Sequence, residues 1–139
     1  MMFDIGAVNA SSKLIDKQRL MAYLSPRLLD KVFELGYTAT LGDAYRDPRV
    51  FGTIGTTKGY GHAKSAHKAR LAIDINLFKF GVFLQDSRHH EGLGAFWKSL
   101  HPLCRWGGDF ERTILEDGIA KKVSAPDGNH YSIEHAGIK

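Results

Sequence analysis

Apolar positions in the first quarter of the chain recur at helical spacing. Leu14, Ile15, Leu20, Met21 and Leu24 make one stripe, with Ser11 or Ser12 before it as a candidate N-cap. Ser25-Pro26 reads as a second start, a capping serine followed by proline at the first helical position, ahead of Leu28, Leu29, Val32, Phe33 and Leu35. Gly36 supplies a stop. The spacing therefore predicts two consecutive helices. From Tyr37 to Arg46 the pattern alternates loosely, as a strand does. Residues 47–64 are glycine-rich and predict a long loop, a feature that in small domains often carries function.

Strict alternation then appears. Leu71, Ile73, Ile75 and Leu77 interleave with Ala72, Asp74 and Asn76, which predicts a strand. "FKFGVFL" suggests a turn near Gly81 and a return strand, and "LGAFWKSLHPLC" a short helix before Pro102. "RWGGDF" (105–110) reads as a turn between apolar anchors. The chain closes with turns at Gly118 and Asp127-Gly128 and a short strand holding His130. Helices mixed with short antiparallel strands predict an α+β fold, and 139 residues suit one domain spanning 1–139.

The alternation poses a chemical question at Asp74, a carboxylate inside an otherwise apolar strand. It lies on the face opposite the Leu/Ile stripe, so it can point into a cleft on the second face of the sheet. His67, just before the strand, can reach the same cleft. Two histidines and a carboxylate make a zinc ligand set that leaves a position for water. The last strand offers the second histidine in "DGNHYSIEH", where His130 and His135 fall on opposite faces of a regular strand. Catalysis on a metal-bound water also needs a carboxylate to move its proton. Asp127 stands three residues before His130, whereas Ser132 stands before His135. His130 is therefore the third candidate ligand and Asp127 the candidate base, with Glu134 the runner-up. The other histidines read as ordinary polar or partly buried residues. Ser65 reads as a turn residue, and Trp97 and Trp106 as core or cleft wall.

Composition narrows the setting. Lys and Arg number 19 against 15 Asp and Glu, a net charge of +4 that suits nucleic acid, an anionic wall polymer or a membrane surface without choosing among them. Cys104 is the single cysteine, which excludes an internal disulfide; it reads as a small buried hydrophobe. No apolar run is long enough to span a membrane. "MMFDIGAVNASSK" has an early acid and no basic region before an apolar core, so no signal peptide is expected. The basic residues Lys64, Lys68 and Arg70 lack interleaved aromatics or a nucleic-acid-binding module.

"SAHKARLAID" resembles the Ser-x-His-x-x-Gly-x-Ala-x-Asp zinc motif of the M15 metallopeptidases, and "DGNH" resembles their Asp/Glu-x-x-His element. "YRDP" (45–48) and "RWGGDF" also fall where that family has similar segments, so the likeness covers roughly residues 25–135. The resemblance implies a Hedgehog-type zinc peptidase fold with helices on a short antiparallel sheet. It implies that His67, Asp74 and His130 bind Zn²⁺, that Asp127 is the general base, and that Arg46 holds substrate or the transition-state oxyanion. One position departs: Arg70 stands where the motif has glycine, so the turn between the ligands is expected to differ locally.

Within the family, the small size and missing export signal resemble the single-domain phage endolysins. The expectation is a monomeric L-alanyl-D-glutamate endopeptidase acting on peptidoglycan stem peptides. It would be held in the host cytoplasm until lysis releases it to the wall, with no nucleic-acid partner and no stable membrane association. The rivals are a D-alanyl-D-alanine carboxypeptidase or dipeptidase and, from another class, a non-catalytic basic module that holds murein or nucleic acid.

Overall fold

The computed structural model describes residues 3–56, 58 and 62–139; part of the predicted 47–64 loop, Thr57 and residues 59–61, lies outside them. The elements in chain order are α1 (Leu14–Glu34), β1 (Thr38–Leu41), α2 (Pro48–Phe51), β2 (Ala72–Lys79), β3 (Val82–Leu84), α3 (Glu91–Leu100), β4 (Cys104–Trp106), β5 (Glu111–Glu116), β6 (Ile119–Ser124) and β7 (His130–Ile133). The fold is α+β, as the mixed periodicities predict.

The two expected N-terminal helices are one. Pro26 lies inside α1. Proline cannot donate to the carbonyl one turn back. The turns on either side are held by side chains: Ser25 Oγ donates to the Met21 carbonyl at 2.7 Å and Arg27 Nη1 to the Tyr23 carbonyl at 2.6 Å. Leu20, Met21, Leu24, Leu28 and Val32 form one unbroken buried stripe across the proline, and packing along that stripe outweighs the lost bond. The expected serine caps are also displaced. Lys13 takes the N-cap position without a side-chain bond, while Ser12 Oγ accepts from the Asn9 amide. At the other end Gly36 does stop the helix. With φ +87° it closes a Schellman motif, in which the Gly36 amide donates to the Phe33 carbonyl and the Tyr37 amide to that of Val32.

Every strand pair is antiparallel. The main sheet runs β1-β2-β7-β4, with β3 also on β2, and β5 and β6 form a separate hairpin. The strand expected over 37–46 is regular only over Thr38–Leu41, but the chain stays beside β2 a little longer: the Gly42 amide donates to the Asp74 carbonyl and the Asp74 amide to that of Asp43. Gly42 permits this approach, since a Cβ there would lie 3.1 Å from Asp74 Cβ. The loop holds α2, started by Asp47, whose carboxylate accepts from the Arg49 amide. "RWGGDF" contributes strand β4 before its turn, a strand that depends on its partner β7 rather than on a strong local pattern. The turn expected at Gly118 joins β5 to β6, with Asp117 and Gly118 at the positive φ of +52° and +76° that a two-residue hairpin turn takes.

The core joins α1, the sheet and α3. Leu20, Leu24 and Leu28 from α1, Leu71, Ile75 and Leu77 from around β2, Trp97 from α3, and Tyr131 and Ile133 from β7 are all buried. Trp97 donates its indole N–H to the Ser132 carbonyl at 3.1 Å, tying α3 to β7. Gly94 leaves room for Trp106, whose ring would lie 2.2 Å from a Cβ on that residue.

Candidate metal centre

Three segments deliver the site. β2 carries Asp74, β7 carries His130, and their antiparallel register sets these two residues directly opposite one another. Directly opposed residues project from the same side of a sheet, so both side chains enter one cleft. His67 comes from a four-residue 3₁₀ segment, Ala66–Ala69, just before β2. Ser65 starts that segment, its hydroxyl accepting from the His67 amide, so it is a turn residue as expected. Arg70 ends it at φ +57°, ψ +34°. The arginine thus adopts the left-handed conformation that glycine favours. An L-residue there carries roughly 1–2 kcal/mol of strain. The Arg70 guanidinium, 4.4 Å from the centre of the Tyr45 ring, offsets part of that.

One possible ligand atom each from His67, Asp74 and His130 lies within 4.8 Å of the others, and the group could hold a metal ion. His67 Nε2 lies 3.1 Å from Asp74 Oδ1, and His130 Nδ1 lies 3.5 Å from the same oxygen. The other nitrogen of His67, Nδ1, is 2.8 Å from the Ala44 carbonyl. A carbonyl only accepts, so Nδ1 carries the proton and a neutral His67 turns the lone pair of Nε2 toward the carboxylate. Two acceptors then face each other in a buried place, an arrangement that a cation between them satisfies. This backbone-anchored imidazole is the usual support of a metal-binding histidine. His130 Nε2 is buried without a hydrogen-bond partner among the described residues. Burial by itself would raise the Asp74 carboxyl, but the two imidazole rings beside it, of His130 and His67, act against this and the group is held down at about 2. Asp74 is therefore a carboxylate at any ordinary pH. Two imidazole nitrogens and a carboxylate oxygen are a donor set that fits zinc.

The cluster opens into a groove of about 470 Å³ that Arg46 and Asp127 also line. Asp127 is placed by the Gly107 turn: its amide donates to the Gly107 carbonyl at 2.8 Å, and a Cβ on Gly107 would lie 2.0 Å from the Asp127 carbonyl oxygen. Trp106 donates to the Gly128 carbonyl at 2.7 Å, and Ser87 Oγ accepts from the Gly128 amide at 2.9 Å. The turn that presents Asp127 is thus held from three sides. Desolvation pushes the Asp127 carboxyl above its ordinary value; the His130 ring acts against this and the Asp74 charge adds to it.

Arg46 is a fixed group. Its side chain is 12% exposed, its Nε and Nη2 each lie 3.2 Å from Asp43 Oδ2, and its Nη1 donates to Ser65 Oγ at 2.7 Å. The same Ser65 oxygen accepts from the His67 amide, so Arg46 is registered against a candidate metal ligand. The runner-up base lies elsewhere: Glu134 pairs with Arg105 of β4 and does not line the groove. His135 Nδ1 faces the buried amine of Lys17 at 2.9 Å. His101 has both ring nitrogens engaged with backbone, and burial pushes the Cys104 thiol up to about 12, so these two are structural.

Sequence reasoning missed His62, Lys64, Phe110, Glu111 and Lys139 as groove-lining residues. The glycine-rich loop before His67 was a signal for the first two. Nothing local marked Phe110, whose ring packs 5.3 Å from that of His130, or Lys139. Among the described residues, no helix is long and apolar enough to cross a membrane. No family model, curated protein or solved structure matches this chain.

Proposed function

We propose that this protein is a zinc-dependent peptidoglycan endopeptidase that cuts the L-alanyl-D-glutamate bond of murein stem peptides, acting as a phage lysis enzyme. The observation that carries the reading is the convergence of His67 Nε2 and His130 Nδ1 on Asp74 Oδ1, beside a groove lined by both histidines, Asp127 and Arg46. Zinc held there would supply a Lewis acid that polarises a carbonyl and lowers the pKa of water to about 7.

The chain supplies the remaining parts. Asp127 stands at the groove wall with a carboxyl made more basic than usual by desolvation. A base of that kind takes a proton from the attacking water and hands it to the leaving amine. Arg46, with its guanidinium held by Asp43 and Ser65, offers a fixed positive charge for the developing oxyanion or for a substrate carboxylate. Lys64 and Lys139 add positive charge along the same groove and outnumber Glu111 there, which suits the free carboxylate that D-isoglutamate carries beside the scissile bond.

The test is digestion of purified murein by zinc-loaded protein, followed by identification of the new amino termini. New D-glutamate termini are expected. Release of free D-alanine without them would move the protein to the carboxypeptidase reading. Intact murein with tight, salt-sensitive DNA binding would favour the binding module.

A further inference from the structure

We infer that the cleft has a second compartment, on the far side of Asp127 from the metal groove, that receives a neutral amide-bearing unit of the ligand. The inference rests on the proposed function for what that unit belongs to, and on the cavity itself for its chemistry.

A separate cavity of about 190 Å³ is lined by Asn76, Phe83, Gln85, Ser87 and Asn129, and Asp127 lines it as well as the metal groove. Asp127 is thus common to the two linings. One face of β2 links the two sites. Asn76 and Phe78 follow Asp74 at two-residue steps on β2 and lie on the same face. Phe83 of β3 is paired with Phe78, and their rings are 5.3 Å apart. The face that carries the metal-site carboxylate thus continues for ~13 Å along β2, at about 3.3 Å per residue, into an amide and aromatic surface.

The two spaces differ in charge. The metal groove carries Arg46, Lys64 and Lys139 against Glu111 and Asp127, a net positive lining. Among the described residues the second cavity has no lysine or arginine in its lining, and Asp127 is the one acidic residue there. His90, also in the lining, is kept neutral by burial, which lowers it to about 4, and its Nδ1 is engaged with the Tyr131 hydroxyl. An anion would meet a carboxylate there without a counter-charge. A secondary amide suits the site instead. Asn76, Gln85 and Asn129 offer donors and acceptors, and among the described residues the Gln85 and Asn129 side chains have no hydrogen-bond partner. The Phe83 side, 46% exposed, offers an apolar surface to a sugar ring or a methyl group. The cavity is smaller than the ~300–1,000 Å³ of drug-sized sites, which fits one sugar or one residue. In murein that chemistry comes from two sources, the acetamido group of the glycan and the peptide amide at L-alanine.

The test is a titration followed by backbone amide NMR, with methyl N-acetylglucosaminide in one arm and N-acetyl-L-alanine methylamide in the other. Millimolar binding is expected, with shifts at Asn76, Phe83, Gln85 and Asn129. Asn76→Ala and the exposed Gln85→Ala should each weaken it about fivefold, the effect of one net hydrogen bond. Response to the sugar assigns the compartment to the glycan, and response to the peptide analogue assigns it to the stem. Absence of both responses, or equal response to sodium acetate, overturns the inference. Murein digestion separates this from the proposed function. A wild-type protein that binds a probe but cuts nothing refutes the peptidase reading alone. A peptidase whose Asn76→Ala and Gln85→Ala forms keep the wild-type KM for murein fragments refutes the compartment alone.

Discussion

Asp74 and His130 are direct cross-strand partners on β2 and β7, so the carboxylate in an apolar strand has its counterpart on the neighbouring strand, 56 residues away in sequence. The pairing puts His130 Nδ1 3.5 Å from Asp74 Oδ1 and leaves Tyr131 and Ile133 for the core. His135 lies beyond the strand and faces Lys17.

Alanine at His67, Asp74 or His130 should therefore remove bound zinc, read by elemental analysis of the purified protein. His135→Ala should retain it. Full zinc content in His130→Ala would show that the ligand set is wrong.

Asp127→Asn should keep zinc and fold but lower turnover on murein by roughly 10²–10⁴, the range for general acid–base catalysis. Glu134→Gln should stay active, because Glu134 pairs with Arg105 away from the groove. An active Asp127→Asn with a dead Glu134→Gln would reverse the assignment.

Arg46→Lys keeps the charge and loses the planar fork that Asp43 and Ser65 hold. Steady-state kinetics on murein fragments should show impaired kcat/KM with zinc retained. Wild-type kinetics would mean that charge alone suffices.

Gly107→Ala forces a methyl group to within 2.0 Å of the Asp127 carbonyl oxygen and 2.9 Å of His130 Cβ. Overpacking of this kind costs about 1–3 kcal/mol. Thermal melts should show a lower Tm, and turnover should fall as the Asp127 turn is displaced. An unchanged Tm with full activity would mean that the turn is not built against this glycine.

The buried His90 gives a pH signature. A histidine in an unfolded chain titrates near ~6.5, and burial lowers His90 to about 4 in the fold. Below pH ~6.5 the unfolded chain binds the extra proton, so stability falls with pH. The contribution of neutral His90 is complete above pH ~6.5 and is lost as pH drops toward 4. His90→Gln should flatten that part of the Tm–pH curve relative to wild type, as measured by circular dichroism melts. Parallel curves would place the acid sensitivity elsewhere.

The sequence by itself determined what local patterning encodes. Period-two alternation marked β2 and set Asp74 apart from the Leu/Ile stripe. Gly36 marked the end of α1, and the Asp127–His130 spacing singled out the histidine that the fold places opposite Asp74. Tertiary structure decided wherever a distant partner outweighed a local signal. Pro26 signals a helix start, yet burial of one continuous stripe carries α1 through it. Arg70 signals a departure from the motif, yet the surrounding fold holds it in the glycine-like conformation. β4 exists because β7 hydrogen-bonds to it, and Asp127 faces the groove because Gly107, Trp106 and Ser87 close around its turn. Those contacts join residues far apart in the chain, and a pattern read over neighbouring positions carries no information about which distant backbone will arrive beside it.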